Sequence, residues 1–225
     1  MIGWMRGYFI TFEGGEGSGK STHARLLGER LTALGLEVVI TREPGGSPGA
    51  EIIRHILLSG LAKPLGPETE AILFAAARDD HLRTTIRPAI SAGKWVICDR
   101  FIDSTRVYQG AVGHVDPRLI RSLERVTVGG AVPDLTFILD VPATVGLARA
   151  TRRRSGGRAD RFEAEDVKYH EALRNAYRAL AELEPKRCVI IDGRAPRDVV
   201  AERIWAVVEQ RLHPGLAQLA ETVTS

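Results

Sequence analysis

Apolar and polar residues form two different patterns along this chain. Short, nearly all-apolar runs, typical of strands that are buried on both faces, recur five times, and longer stretches with apolar residues at helical spacing separate them. This alternation predicts an α/β fold of three layers, a five-stranded parallel sheet with helices on both faces. The five strand-like runs are YFITFE (8–13), EVVITRE (37–43), KWVICDR (94–100), DLTFILDV (134–141) and CVIIDG (188–193).

The helical patterns occupy most of the remaining sequence. The chain has 225 residues, 44% of them hydrophobic, and shows neither repeats nor low-complexity tracts, which predicts one domain over 1–225. Within it we expect an N-terminal extension over 1–7 and a C-terminal tail over 212–225. Apolar spacing predicts helices over about 20–35, 49–59, 67–92, 116–128, 142–153, 163–184 and 196–211.

Composition and charge narrow the class of protein. The formal net charge is only +3, so no general excess of positive charge indicates a nucleic-acid partner. The longest apolar run, AILFAAA (71–77), is far shorter than the ~20 residues of a membrane span, so we expect a cytoplasmic protein without a membrane partner. Cys98 and Cys188 lie in separate strand-like runs without CxxC spacing, which predicts buried reduced thiols.

The stretch FEGGEGSGKST (12–22) carries the clearest chemical signal. Gly14, Gly19, Lys20 and Ser21 match the spacing GxxxxGK[ST] between a predicted strand and a predicted helix. Glycines let backbone N–H groups converge on phosphates, Lys20 would neutralise the β and γ oxygens, and the Ser21 hydroxyl would ligate Mg²⁺. A glycine-rich turn without a ligand is the plain alternative. The predicted ATP contacts are Gly14, Gly15, Glu16, Gly17, Ser18, Gly19, Lys20, Ser21 and Thr22.

The last residues of the run KWVICDR help to decide between two predicted functions, a kinase and a nucleotide-driven switch. The sequence has no NKxD or TKxD stretch that would read guanine, and this run ends in Asp99-Arg100 where a switch GTPase would carry DxxG. Asp99 is the predicted partner of Ser21 at the metal, and Arg100 is suited to hold an anionic group of an acceptor against the γ-phosphate. A purely structural Asp-Arg pair is the alternative.

Two further features fit a pocket for an acceptor. TREPGG (41–46) follows the second strand, at the edge where parallel sheets bind ligands. Phe74 and Arg78 lie four residues apart on a predicted helix, so a ring and a guanidinium could address one planar base together. Taken alone, Phe74 in the apolar context AILFAAAR is more often a core residue.

The order of these motifs resembles that of the thymidylate kinases. The likeness covers about 8–211 and runs through FEGGEGSGKST, TREPGG, AILFAAAR, CDRFIDSTRVYQG, PDLTFILDV and DRFE. It implies a P-loop nucleoside monophosphate kinase, usually a homodimer, that transfers the γ-phosphate of MgATP to dTMP and releases ADP and dTDP. The dTMP pocket that it implies is formed by Glu16, Glu43, Arg54, Phe74, Arg78, Arg100, Ser104, Thr105, Tyr108 and Gln109.

The resemblance also implies individual roles. Phe74 would stack on thymine, Arg78 would reach a thymine carbonyl, and Arg100 would grip the acceptor phosphate. Tyr108 would crowd the 2′ position of the sugar, and Glu16 would face the sugar and the metal. No general base is expected, because a phosphate monoester with a second pKa of about 6 is already largely ionised at neutral pH.

The arginine-rich segment RATRRRSGGRADRFE (149–163) is the predicted lid. A solvated helix end and a nucleic-acid patch are the alternatives. In the family, some members place an arginine in the phosphate loop and others place it in the lid, and Gly17 and Ser18 occupy the loop positions here. The resemblance therefore assigns this charge to the lid, and it offers Arg149 as a contact of adenine. The catalytic candidates are Lys20, Asp99, Arg100, Arg153 and Arg158.

Two other functions stay open from the sequence. One is a kinase for another nucleoside monophosphate on the same fold, and the other is a nucleotide-driven switch or DNA-associated ATPase. The expected partners remain ATP and dTMP, with Mg²⁺ as cofactor and without nucleic acid.

Overall fold

The described part of the chain is built on one parallel β-sheet. The structure, a computed structural model, describes residues 7–154 and 160–212, without the side chain of Arg154. The strands lie in the order β2-β3-β1-β4-β5, and every neighbouring pair is parallel. The predicted five-stranded parallel sheet is confirmed. The strands are β1 (Phe9–Glu13), β2 (Val38–Arg42), β3 (Trp95–Asp99), β4 (Leu135–Asp140) and β5 (Cys188–Asp192).

Helices connect the strands. They are α1 (Lys20–Ala33), α2 (Pro48–Leu58), α3 (Gly66–His81), α4 (Arg87–Ser91), α5 (Ile102–Thr105), α6 (Pro117–Thr127), α7 (Ala143–Arg154), α8 (Val167–Leu183) and α9 (Arg197–Arg211). A 3₁₀ turn (Lys63–Leu65) precedes α3, and π-helical segments join α3 to α4 (Leu82–Ile86) and extend α5 (Arg106–Val112). The single helix predicted over 67–92 therefore contains a π-helical segment. The helical stretch over 102–112 was not predicted.

Alternate side chains of the strands face two layers of helices. One cluster joins residues such as Phe12 of β1 to α1 and α9, where Leu31 and Trp205 lie. On the opposite face, Phe9 and Cys98 pack in a second cluster with the π-helical segment after α3. The predicted three-layer arrangement is therefore confirmed. Cys98 and Cys188 are buried and form no disulfide, as expected.

The carboxyl ends of the strands meet at one edge of the sheet. The chain leaves β1 directly into the loop 14–19, and α1 begins at Lys20. The Arg100 N–H donates a hydrogen bond to the carbonyl of Phe12 (2.9 Å), and the Glu43 N–H donates to the carbonyl of Asp99 (2.9 Å). The loops that carry the predicted site residues are therefore tied together at this edge.

Several assignments fall wholly or partly outside the described residues. Residues 149–154 form the end of α7 and 160–163 lie in the turn region before α8, but the rest of the predicted lid, including Arg158, is outside. The same holds for residues 1–6 and 213–225. The division of the chain into one domain, a lid and two terminal segments stays a prediction. Among the helices of the described ranges, none is long and apolar enough to cross a membrane.

Candidate active site

A cleft of about 420 Å³ opens at the carboxyl edge of the sheet. It brings together every residue of the predicted dTMP pocket: Glu16, Glu43, Arg54, Phe74, Arg78, Arg100, Ser104, Thr105, Tyr108 and Gln109. It is also lined by the predicted phosphate-loop, metal and lid residues Gly17, Gly19, Lys20, Ser21, Thr22, Asp99 and Arg153. Four of the predicted ATP contacts are not part of its wall: Gly14, Gly15, Ser18 and Arg149.

The phosphate loop adopts backbone conformations that favour glycine. Gly14 and Gly17 have φ values of 129° and 64°. A Cβ on Gly17 would lie 2.0 Å from the carbonyl oxygen of Gly146 in α7, and a Cβ on Gly146 would lie 2.3 Å from the carbonyl oxygen of Glu16. The loop and α7 are therefore in direct backbone contact, which is possible only because neither glycine carries a side chain.

Lys20 is buried at the start of α1. Its Nζ donates hydrogen bonds to the carbonyl oxygens of Gly15 (2.7 Å) and Gly14 (3.2 Å). Burial and the positive charge of Arg100 lower the pKa of Lys20 to about 8, although Glu16 and other nearby carboxylates oppose this shift. The ammonium group is thus held by carbonyls at the mouth of the loop, which are weaker partners than the oxygens of a phosphate.

Ser21 and Asp99 form a pair of oxygen ligands beside the loop. The Ser21 hydroxyl donates to Oδ2 of Asp99, while Oδ1 of Asp99 is buried without a hydrogen-bond partner among the described residues. Hydroxyl and carboxylate oxygens are ligands that suit Mg²⁺. In the described ranges no group of three or more His, Cys, Asp or Glu residues could hold a metal. A Mg²⁺ ion at this pair would therefore take further ligands from nucleotide phosphates and water.

Arg100 lies at the centre of the cleft in an unusual backbone conformation. Its φ of 70° lies in the left-handed region, which is uncommon for residues other than glycine. Its guanidinium pairs with Glu16, which also accepts a hydrogen bond from the Tyr108 hydroxyl (3.0 Å). Burial alone would raise the pKa of Glu16, but Arg100, Lys20 and Tyr108 outweigh it and lower this pKa to about 2. Glu16 is therefore ionised and holds Arg100 in the cleft.

Arg78 and Glu43 form a buried ion pair in the wall of the cleft. Nε of Arg78 donates to Oε2 of Glu43 (2.8 Å), and Nη2 donates to the Thr105 hydroxyl (3.0 Å) and the Phe101 carbonyl (3.2 Å). His81 contacts the other oxygen of Glu43 (3.2 Å). A buried charge needs such partners, and they fix the Arg78 side chain in one orientation.

An apolar wall closes one part of the cleft. Leu58, Phe74 and Phe162 contribute to it, and the ring centroids of Phe74 and Phe162 are 6.0 Å apart. Phe74 is partly buried and also packs against the core cluster that contains Tyr108 and Phe162. The two interpretations of Phe74 offered by the sequence, pocket wall and core residue, are therefore compatible.

Comparison with known proteins assigns the chain to a family. The sequence model of the family described as thymidylate kinase matches residues 12–204. The chain belongs to the thymidylate kinase family. It is 62% identical over 207 residues to a thymidylate kinase of Nitrobacter winogradskyi, covering 92% of this chain and 90% of that protein. It is 58% identical over 212 residues to one of a Bradyrhizobium species (strain BTAi1), covering 94% of each.

Solved structures agree with this assignment. The crystal structure of a thymidylate kinase from Ehrlichia chaffeensis superimposes with a TM-score of 0.73 at 32% sequence identity. The match covers 90% of this chain and 98% of the other. The P-loop fold expected from the resemblance to thymidylate kinases is therefore confirmed.

The arginines of the predicted thymidylate kinase lid differ in their surroundings. Arg153 lines the cleft, and its Nη2 donates to Oε1 of Glu163 (3.2 Å). Arg152 is exposed and its Nε donates to the carbonyl of Ala148, one turn earlier in the same helix (3.4 Å). Arg149 is bound by the Gly193 carbonyl (3.0 Å), away from the cleft wall. Of these three arginines, only Arg153 lines the cleft.

Sequence reasoning missed part of the site of this thymidylate kinase family member. The motif DRFE was used to recognise the family, and its place at the end of the predicted lid could have pointed to the role of its residues in the cleft. Arg42 and Pro44 lie within the quoted TREPGG. The lining residues that were not predicted are Arg42, Pro44, Leu58, Phe101, Asp160, Phe162 and Glu163.

Proposed function

We propose that this protein phosphorylates dTMP to dTDP with MgATP as the phosphoryl donor, a step in the synthesis of dTTP for DNA. The observation that carries this proposal is one cleft that combines a phosphate loop with an acceptor pocket, in a chain of the thymidylate kinase family. A nucleotide-driven switch needs the phosphate loop but has no use for a second, arginine-lined pocket beside it.

The donor half of the cleft would bind the triphosphate of ATP. The backbone N–H groups of the phosphate loop and the start of α1 would surround its oxygens, and Lys20 would exchange its carbonyl partners for them. Ser21 and Asp99 would hold Mg²⁺, which supplies positive charge to the phosphates when bound. This half therefore provides binding and charge neutralisation.

The acceptor half would position the phosphate of dTMP. Arg100 is already desolvated and aimed by Glu16, so binding needs little further ordering of its guanidinium. Phe74 would stack on thymine and Arg78 would reach a thymine carbonyl, while Tyr108 would exclude a 2′ hydroxyl. The acceptor phosphate is already largely ionised at neutral pH, so positioning and charge neutralisation accelerate transfer without a general base.

A substrate panel tests this function. Purified protein is incubated with MgATP and each of dTMP, dUMP, dCMP, dAMP and dGMP, and the products are separated by chromatography. We expect dTDP and ADP in equal amounts with dTMP. Preference for another monophosphate would identify a different kinase on this fold. Release of ADP and free phosphate, regardless of acceptor, would instead indicate a switch or ATPase.

Replacement of Phe74 by alanine tests recognition of the base. Stacking on a base contributes about 1–3 kcal/mol in comparable settings, so KM for dTMP should rise roughly 10-fold or more while KM for ATP stays nearly constant. Steady-state kinetics with each substrate varied in turn measures both constants. Phe74→Leu, which keeps an apolar side chain without the ring, is the matched variant and should show most of the same loss. An equal rise in both constants, together with a lower Tm, would assign Phe74 to the core alone.

We also infer a cytoplasmic homodimer, the usual state of the family. Ile52, Ile72 and Val126 are exposed apolar side chains on three neighbouring helices, α2, α3 and α6, and a partner surface over these helices would cover them. Sedimentation at several protein concentrations should give twice the mass of the chain. Ile52→Asp combined with Val126→Asp should shift the protein towards the monomer. A monomeric wild-type protein would remove this inference.

A further inference from the structure

A buried carboxylate lies next to the cleft without forming part of its wall. Glu13 is the last residue of β1 and is fully buried. Its Oε1 accepts hydrogen bonds from the backbone N–H groups of Phe101 (2.7 Å) and Ser104 (3.3 Å). Its Oε2 accepts from the hydroxyls of Ser104 (2.7 Å) and Tyr177 (2.9 Å). One side chain therefore ties β1 to the segment after β3 and to α8.

This carboxylate fixes the turn that contains Arg100. A residue other than glycine in the left-handed region is less stable by about 1–2 kcal/mol, so surrounding contacts must hold it there. The Arg100 N–H is bound by the Phe12 carbonyl, and the next N–H along the chain, that of Phe101, is bound by Glu13. The two residues that end β1 thus bind two successive N–H groups of this turn.

Glu13 also orients the two hydroxyls that contact the guanidinium. Nη1 of Arg100 donates to the Ser104 hydroxyl (3.3 Å) and to the Tyr177 hydroxyl (3.4 Å). Both hydroxyls give their hydrogen to Glu13, which leaves oxygen lone pairs to accept from Arg100. Four donors point at Glu13: two backbone N–H groups at one oxygen and two hydroxyls at the other. Only a side chain whose two end atoms both accept hydrogen bonds can satisfy all four. A glutamine in this place would turn an NH₂ group towards one pair of donors.

We propose that Glu13, as a carboxylate, is a positioning residue that sets the orientation of Arg100 for the phosphate of the acceptor nucleotide. The proposal rests on the proposed function, because it takes the ligand of Arg100 to be the phosphate of dTMP. It predicts that Glu13 affects binding of the phosphate and has little effect on binding of the nucleoside.

The surroundings of Glu13 make its charge sensitive to pH near neutrality. Asp103 and Arg100 act on the Glu13 carboxyl, and Glu13 in turn acts on the ionisable groups of Lys20, Tyr177, Cys98 and Cys188. Burial and repulsion by Asp103 raise the pKa of Glu13 to about 7, although Arg100 and the hydrogen bonds from Ser104 and Phe101 oppose the rise. Protonation would place a fifth hydrogen among the four donors, and one hydrogen bond of the network would be lost.

The same shift has a consequence for stability. The folded protein holds the proton of Glu13 more tightly than the unfolded chain, in which the ordinary pKa of 4.5 applies. Any stability that the protonated form contributes is therefore present at low pH and is lost as pH rises from about 4.5 to about 7. Glu13→Gln cannot lose a proton here, so the Tm of this variant should fall less than that of the wild type as pH rises from about 5 to about 8.

Binding of dTMP and of thymidine distinguishes positioning from general support of the fold. Calorimetric titration at pH 8 should give a Kd for dTMP about 10-fold higher for Glu13→Gln than for the wild type. The Kd for thymidine, which lacks the phosphate, should change less than ~2-fold. Tyr177→Phe, which removes one hydroxyl and keeps the carboxylate, should weaken dTMP binding in the same selective way. It gives a second test if Glu13→Gln fails to fold.

The pH profile supplies a readout that a purely structural role would not change. The ratio of the dTMP Kd values, Glu13→Gln over wild type, should be largest at pH 8 to 9. It should approach one below about pH 6, where Glu13 of the wild type is protonated. Because dTMP itself ionises with a second pKa of about 6, the Kd values are expressed for its dianion, so that ionisation of the ligand does not enter the ratio. Equal losses for dTMP and thymidine, or a ratio that does not change with pH, would overturn the proposal. Wild-type turnover in the substrate panel tests the proposed function separately.

Discussion

Replacing Lys20 by alanine is expected to lower kcat at least ~10²-fold, because one preorganised charge beside a reacting group contributes several kcal/mol in a site that excludes water. The side chain is buried within the phosphate loop and lines the cleft. Its pKa is lowered only to about 8, so most of the protein carries the charge at pH 7. Steady-state turnover of MgATP and dTMP measures the effect.

A lysine on the surface provides the control for this prediction. Lys94 is partly exposed and pairs with Glu37 at 2.7 Å, away from the cleft, so Lys94→Ala should leave kcat unchanged. Tm values for both variants separate loss of catalysis from loss of folding. Turnover near the wild-type level in Lys20→Ala would exclude Lys20 from the mechanism.

Replacing Arg153 by alanine is expected to lower kcat by about 10²- to 10³-fold with little change in the Kd for dTMP. Arginines that reach a transferring phosphoryl group account for ~10³ to 10⁵ in rate in related reactions, and neighbouring arginines reduce the loss from a single replacement. Gly17 and Ser18 supply no cation to this group, and Arg153 is an arginine at the end of α7 that lines the cleft. Single-turnover kinetics separates the chemical step from product release.

Arg152, which precedes Arg153 in the sequence, provides a matched control. Arg152 has the same charge, lies on the same helix and is exposed, so Arg152→Ala should keep kcat within ~2-fold. A quadruple variant prevents neighbouring arginines from taking over the role of the one that is lost. It replaces Arg152, Arg153, Arg154 and Arg158 by alanine. If this quadruple variant keeps its kcat and instead loses salt-sensitive binding to DNA, the segment is a nucleic-acid contact.

The strands were predictable from the sequence because each is a short apolar run, although only β1, β3 and β4 are almost fully buried and the edge strands β2 and β5 are partly exposed. The helical segments were harder to predict from the sequence. A helical pattern over 67–92 does not reveal that the hydrogen bonds widen over Leu82–Ile86, since the apolar spacing continues through the segment. The stretch 102–112 contains polar residues whose partners are distant in sequence, such as Asp103, which is bound by Arg187 at 2.6 and 2.9 Å. A local pattern cannot show that such polar groups will be buried and paired.

The difference between local patterns and contacts of residues that are distant in sequence also explains which parts of the site could be predicted. The phosphate loop was predictable because its glycines, lysine and serine are contiguous and act through the local backbone. The acceptor pocket was assigned through resemblance to a family, since its residues come from five separate parts of the chain. Glu13 was missed because its neighbours Ser104 and Tyr177 are 91 and 164 residues away in the sequence. Its function follows only from the hydrogen bonds that the fold creates.

The contact between Gly17 and Gly146 limits which residues these two positions accept. A side chain at either position would overlap the backbone of the other segment, so the phosphate loop and the first turn of α7 keep this spacing only while both residues are glycine. The contact reaches one turn further along α7, because a Cβ on Gly17 would also lie 3.1 Å from the backbone N of Ala150. A larger residue at position 17 or 146 would therefore push the loop that is proposed to bind the donor phosphates away from the helix that leads to the arginine-rich segment.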